Sequence, residues 1–322
     1  MTDEVLAAGV IGVGNMGANH ARVYADLPET RLVGVTDADA ETAQSVARKH
    51  GVPALPQSAL LERADVVSVA VPTPYHVETA KACIDAGVHV LVEKPFVHDV
   101  EAGRDLIRYA RNEGVTLQVG HVERFNPAVQ ALQTFVDDLD VVAMSARRLG
   151  PPPSDGGRDS VMLDLMVHDF DVLTTLVDAE VQTMSAVGTL SDRHVSAQLR
   201  FDDGTVATLD ASRATQQKVR ELTVTAGECY VTLDYLAQSL ELYRHSLSEV
   251  VADDGNVRHR TASVVERPIV ENGEPLRNEL RSFVEAVRTG TEPEVTGEDG
   301  IRAVELAQRV EQSLDRREVV EQ

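Results

Sequence analysis

The sequence predicts an α/β fold class, with a doubly wound parallel sheet at the N-terminus followed by an α+β domain whose open sheet is mostly antiparallel. Two observations carry the first half. Up to about His121, β-branched apolar runs alternate with helical patterns, and a glycine-rich turn joins the first strand to the first helix. One observation carries the second: beyond His121, strands follow one another with turn signals such as "DDG" between them. With 322 residues and 43% hydrophobic content, the chain can bury two modest cores. The predicted domains are therefore 1–121 and 122–322.

In the first domain the strands are "VLAAGVIGV", "RLVGVTD", "VVSVAV", "HVLVEK" and "TLQVGH", and helices begin near Asn15, Ala40, Tyr75 and Val100. Strands so continuously apolar belong to a parallel sheet covered on both faces. In the second domain a helix begins near Asn126, "VVAMSARRL" is a strand, "GPPPSDGGRDS" is a Pro/Gly-rich loop and "MLDLMVHDFDVLTTLV" is a helix. Four or more strands follow, among them "VQTMSAVG", "HVSAQLRF", "TVATLDAS" and "LTVTAGECYVTLD". "ADDGNVRHRTAS" reads as an exposed loop, and helices near Arg277 and Ile301 close the chain.

The formal net charge of −22 argues against nucleic acid or an anionic membrane as a partner. No apolar run of about 18 residues is present and the N-terminus is acidic where a secretion signal is basic, so a soluble, cytoplasmic protein is expected. Only four of the 30 basic residues are lysines: Lys49, Lys81, Lys94 and Lys218. Dispersed acid, arginine in place of lysine and 4% aromatic content point to the solvated surface of a halophile. Cys83 and Cys229 stand far apart without metal-type spacing, so neither a metal site nor a disulfide is expected. Both are assigned to the core.

"GVGNMG" sets Gly12, Gly14 and Gly17 in the pattern G-x-G-x-x-G, with Asn15 and Met16 in the same turn. Such glycines allow a tight turn and a close backbone approach to a pyrophosphate at the positive end of the next helix. Asp37 ends the second strand, 20 residues after Gly17. A carboxylate there accepts from ribose hydroxyls and repels a 2′-phosphate, which favours NAD over NADP. The alternative is that Asp37 caps the next helix, a task Asp39 could fill equally.

Later strand ends carry "PTPYH" and "EKP", which place Thr73, His76, Glu93 and Lys94 beside the nicotinamide half of the cofactor. A lysine kept at the end of a buried strand, in a chain that elsewhere uses arginine, offers a compact donor whose charge responds to burial. In "DLMVHDFD", Asp164 and His168 are four apart and share a helix face, as an acid/base pair requires. Asp171 is assigned a structural part and Asp169 a solvated one.

The glycine motif, "PTPYH", "VEKP" and "DLMVHDFD", in this order and at these separations, resemble the Gfo/Idh/MocA family of NAD(P)-dependent oxidoreductases. The resemblance implies a Rossmann domain, then an open-sheet domain that makes the interface of a homo-oligomer, a dimer or tetramer. It also implies a catalytic set of Lys94, Asp164 and His168 acting on a small-molecule substrate. Met166 departs from the glycine many members have there, which is expected to narrow the substrate pocket. "GHVERFNPAV" together with "DLMVHDFD" resembles the subgroup that oxidises the 3-hydroxyl of UDP-N-acetylglucosamine.

On that reading Arg124, Asn126 and Arg148 are candidate substrate contacts. Arg147 and Arg148 could meet a diphosphate, with a surface role the equal alternative. Either Lys94 or His168 is the formal base. Three rival readings are a dehydrogenase of a free polyol or monosaccharide, a non-catalytic NAD-binding sensor, and a biliverdin reductase-like or dihydrodiol-type reductase. An intact Lys94, Asp164 and His168 speaks against the sensor, and Asp37 against an NADPH-dependent reductase.

Overall fold

The structure, a computed structural model, describes residues 5–152, 159–189, 191, 193–245, 249–253, 256–260 and 263–315. Its first elements are β1 (Leu6–Ile11), α1 (Asn15–Asp26), β2 (Thr30–Thr36), α2 (Ala40–His50), α3 (Gln57–Leu61), β3 (Val66–Val69), α4 (His76–Asp85), β4 (His89–Glu93), α5 (Val100–Asn112) and β5 (Leu117–Gly120). Next come α6 (Pro127–Gln133), β6 (Val141–Leu149), α7 (Val167–Leu176), β7 (Val181–Gly188), β8 (His194–Phe201), β9 (Val206–Ser212), β10 (Val219–Ala226), β11 (Tyr230–Asp234) and β12 (Ser239–His245). The last are β13 (Glu249–Asp253), β14 (Asn256–Arg260), β15 (Ser263–Glu266), α8 (Pro275–Thr289) and α9 (Gly297–Asp315). The chain divides into two compact units, one of 1–125 with 273–306 and one of 126–272 with 307–322.

In the first unit five parallel strands take the order β2-β1-β3-β4-β5. The order reverses at β1, so the crevice at the carboxyl ends of β1 and β3 is the switch point where such sheets bind ligands. Side chains alternate between two buried faces. Val67, Val69, Val90, Val92 and Val119 face one cluster, and Ala8, Val10, Val66 and Leu91 face the other. The second face is closed by Leu276, Leu280, Phe283 and Val284, spaced as one helical stripe on α8. The sequence reading had assigned α8 to the second domain, whereas the structure counts 273–306 with the first. The reason is that a parallel sheet must be covered on both faces, and α8 supplies part of the cover.

Helix ends follow their sequence signals. Asp39 and Asp99 cap α2 and α5 by accepting backbone N–H groups two and three residues on, and Gly51 ends α2 in the left-handed region with φ +68°.

The second unit holds an eight-stranded sheet in the order β15-β12-β11-β10-β6-β9-β8-β7. Only β6 and β9 pair in parallel, so the sheet is mixed and mostly antiparallel. Alternate residues of β8 and β9 (Val195, Ala197, Leu199 and Phe201; Ala207, Leu209 and Ala211) are buried on one side. On the other side Val187, Val206, Tyr230, Tyr243 and Val265 are exposed.

Several local expectations are corrected. "LTVTAGECYVTLD" is two strands, β10 and β11, because Gly227 and its neighbours form a turn between them. "ADDGNVRHRTAS" is largely not a loop: β13 and β14 pair antiparallel from Glu249–Arg260 to Asp253–Asn256. α3 has no counterpart among the sequence expectations, and β12 and β15 extend the run of four or more strands expected there. The loop "GPPPSDGGRDS" lies mostly outside the described residues. The first turn of "MLDLMVHDFDVLTTLV" is wound as a π-helix over Met162–Met166 before α7 begins. No described helix is long and apolar enough to cross a membrane.

Candidate active site

The glycine turn is built for close approach. Gly12 has φ +83°, and a Cβ there would lie 2.8 Å from the backbone of Ala70 and Val71, just past the end of β3. A Cβ on Gly17 would lie 1.8 Å from the Gly12 carbonyl oxygen. Gly14 differs: nothing stands within 4 Å of its Cβ position, and it is the N-cap of α1 without a side-chain capping bond. Open space over an uncapped helix start is what a pyrophosphate needs, so the residues fit a dinucleotide. Asn15 is exposed and Met16 half-buried in that same turn.

Asp37 is tied into the turn. Its Oδ2 accepts from Val13 N–H at 2.7 Å and its Oδ1 from Asp39 N–H at 2.9 Å. Asp39, not Asp37, caps α2, which removes the capping alternative. The carboxylate is thereby held at the end of β2, where the adenosine ribose of a bound dinucleotide would sit. Replacing Asp37 with Asn should raise kcat/KM for NADP relative to NAD by about tenfold or more, as one charge repulsion of about 1.4 kcal/mol implies. An unchanged ratio would show that Asp37 does not face the ribose.

Thr73 is buried in the short 3-10 turn Thr73–Tyr75. His76 is 1% exposed, with Nε2 at 2.8 Å from the Val71 carbonyl and Nδ1 at 3.1 Å from those of Pro95 and Phe96. Burial pushes its pKa down, against these carbonyl bonds, which push it up. The imidazole therefore ties the start of α4 to the segment just after Lys94, and its ring nitrogens are committed to the backbone. Glu93 is 5% exposed, and its carboxylate turns into the protein: Oε1 lies 2.8 Å from His20 Nε2, and Oε2 accepts from Lys94 N–H at 3.1 Å. Lys94, at the carboxyl end of β4, is half-buried.

In the second unit, Asp164 lies in the π-helical turn, a distortion that recurs at functional sites, and His168 in the first turn of α7; both are half-buried. Asp164 is paired through Oδ2 with Arg213, whose other nitrogen donates to the Asp159 carbonyl at 2.8 Å. The sequence reading missed Arg213, and nothing in its local pattern marks it. His20 was missed as well, although a signal existed. Gly17, His20, Ala21 and Tyr24 form the inward stripe of α1, and a histidine in such a stripe needs polar partners.

The candidate substrate residues are placed differently from one another. Arg124 is 6% exposed and donates to the Glu294 carbonyl at 3.2 Å, with Asp299 3.5 Å away. Asn126 caps α6 through Ala128 N–H and donates to the Tyr235 carbonyl at 3.1 Å. Arg147 is exposed and meets Glu221 at 3.2 Å. Arg148 is buried against Asp169, with Nε 3.0 Å and Nη2 2.9 Å from its Oδ1, and its guanidinium lies 5.2 Å from the Tyr235 ring centroid. Asp169 is therefore 2% exposed and not solvated as expected, because the guanidinium from β6 neutralises it. Asp171 is buried too. Met166 is fully buried, so it serves the core. Cys83 and Cys229 are free and buried, as the sequence implied.

Comparison with known proteins matches residues 6–121 to an oxidoreductase family with an NAD-binding Rossmann fold, and residues 150–321 to the C-terminal alpha/beta domain of that family. The chain is 32% identical over 315 residues to UDP-N-acetylglucosamine 3-dehydrogenase of Acidithiobacillus ferrooxidans, covering 96% of this chain and 97% of that one. A solved structure of that enzyme superposes with a TM-score of 0.87 at 31% identity, over 96% of this chain and 98% of the other. Inositol 2-dehydrogenase of Rhizobium meliloti is 26% identical over 326 residues, covering 95% and 96% of the two chains.

Proposed function

The chain belongs to the Gfo/Idh/MocA oxidoreductase family, and from that premise we propose that it oxidises the 3-hydroxyl of UDP-N-acetylglucosamine to a ketone. At the coarser level it is an NAD-dependent dehydrogenase acting on a sugar CH–OH group. The observation that carries the finer reading is the 32% identity, spread over nearly the full length of both chains, to an enzyme of that name. The stretch "GHVERFNPAV" supports it.

Bound NAD supplies the hydride acceptor. The glycine turn and the start of α1 would hold its pyrophosphate, and Asp37 its ribose. In the proposed reaction His168 takes the proton of the substrate hydroxyl. Lys94 donates a hydrogen bond to the same oxygen and stabilises the charge that develops there, which is worth several kcal/mol where water is excluded. Asp164, held by Arg213, orients His168. Either Lys94 or His168 can be read as the formal base.

The second reading, a dehydrogenase of a free polyol, is favoured by the inositol-oxidising relative. Absorbance of reduced nicotinamide after mixing protein, NAD and UDP-N-acetylglucosamine, and separately myo-inositol or glucose, separates the two. High salt suits the acidic surface. Turnover with the nucleotide sugar alone supports the proposal; turnover with a free polyol alone keeps the family and discards the UDP assignment.

The proposal extends to a cytoplasmic homo-oligomer assembled through the outward side of the second sheet, which exposes Val187, Val206, Tyr230, Tyr243 and Val265. Light scattering should give a dimer or tetramer mass, and a monomer at assay concentration would remove this part.

A further inference from the structure

A chain of buried polar groups ends directly behind Lys94. Tyr24 Oη lies 2.9 Å from Ser68 Oγ, Ser68 Oγ 2.9 Å from His20 Nδ1, and His20 Nε2 2.8 Å from Glu93 Oε1. Tyr24, Ser68 and His20 are all 0% exposed. Glu93 Oε2 closes the chain by accepting the backbone N–H of Lys94 at 3.1 Å. One assignment of protons satisfies every link. Tyr24 donates to Ser68, Ser68 to His20 Nδ1, His20 Nε2–H to Glu93, and all the donors point toward one carboxylate.

The groups around Glu93 come from several elements: His20 and Tyr24 from α1, Glu279 from α8, His76 from α4, and Lys94 beside it. Burial pushes the Glu93 carboxyl up, but the hydrogen bond from His20, with the charge of Lys94, holds it below its usual value. Ligand atoms of His20, Glu93 and Glu279 all lie within 4.8 Å of one another, as a metal site would require. Both nitrogens of His20 are already spent on Ser68 and Glu93, so hydrogen bonding accounts for the group without a metal.

We propose that His20 and Glu93 are positioning residues for Lys94: the buried chain anchors the Glu93 carboxylate, which fixes the peptide from which the Lys94 side chain departs and sets a permanent negative charge beside its ammonium. The inference rests on the reading of Lys94 as the donor to the substrate oxygen.

Glu93→Gln is the sharpest test, because the chain can reverse around it. A glutamine amide can donate to His20 Nε2, His20 Nδ1–H can then donate to Ser68, and Ser68 to Tyr24, while the amide oxygen keeps Lys94 N–H. Packing survives and only the charge is lost. The chain has four lysines, so reductive methylation with carbon-13 formaldehyde yields few lysine signals, and Lys94→Met identifies the one sought. In Glu93→Gln the chemical shift of the Lys94 signal should move, with those of Lys49, Lys81 and Lys218 unchanged. kcat should fall by about thirtyfold or more, with NADH binding, read by fluorescence, within about threefold of wild type.

An unmoved Lys94 signal, or kcat within about threefold of wild type, overturns the proposal. Should Glu93→Gln fail to fold, Ser68→Ala removes the donor to His20 Nδ1 from farther away; it should lower kcat about three- to tenfold at unchanged NADH affinity, and wild-type kcat there overturns the proposal equally. The lysine signal is read without substrate. Activity remaining in Lys94→Met would instead defeat the reading of Lys94 itself, which keeps the two failures distinct.

Discussion

Lys94→Met is expected to lower kcat by at least about a thousandfold while NADH still binds within about threefold of wild type. Methionine keeps the length and apolar stem of lysine and removes only the ammonium. The proposed pyrophosphate and ribose contacts are at the glycine turn and Asp37, on other strands, so cofactor affinity should survive. The substitution thus takes away a donor that matters when charge builds on the substrate oxygen, which is the pattern of lost transition-state stabilisation. Single-turnover absorbance and NADH fluorescence on the same preparation provide the test. A kcat within about tenfold of wild type would remove Lys94 from the chemistry.

Arg148→Ala is expected to destabilise the second unit by about 3–5 kcal/mol, the usual cost of stranding one partner of a buried ion pair. Arg148 and Asp169 have side chains only 3% and 2% exposed, so salt will screen the pair little and water cannot replace the guanidinium. Arg148→Met combined with Asp169→Leu should recover most of the loss, since apolar groups then fill the space without an uncompensated charge. Urea unfolding checks both. The competing assignment, a contact to a substrate diphosphate, predicts the opposite pattern: an Arg148→Ala protein of wild-type stability with a raised KM for the nucleotide sugar.

The two predictions mark where sequence reading succeeds and where it stops. The parallel sheet, the glycine turn and Asp37 were legible because each is a local pattern: period two against period 3.6, a glycine spacing, an acid at a strand end. The lysine at the end of "HVLVEK" is marked in the sequence by its rarity, and its catalytic role is a proposal. Arg148 was not legible, because its partner stands 21 residues away on another element and a charge in a strand does not announce what neutralises it. Asp169 was misread for the same reason. His20 depends on Ser68 and Glu93, 48 and 73 residues away, and only its place on the inward stripe of α1 could have given notice. The second sheet was half legible: β8 and β9 alternate cleanly, whereas β12 to β15 fall in polar sequence where alternation is weak.

The cover of the first sheet has a consequence for how the protein comes into being. The ribosome releases β1 to β5 early, but Leu276, Leu280 and Phe283, which shield one of their faces, emerge only after the whole middle of the chain. At about 5–20 residues per second, that interval is on the order of ten seconds. Each of those side chains is worth roughly 1.5–3 kcal/mol once buried, so part of that face stays uncovered through the interval, with only α1 and α2 in place over it. The N-terminal third completes its burial only after most of the chain has been made.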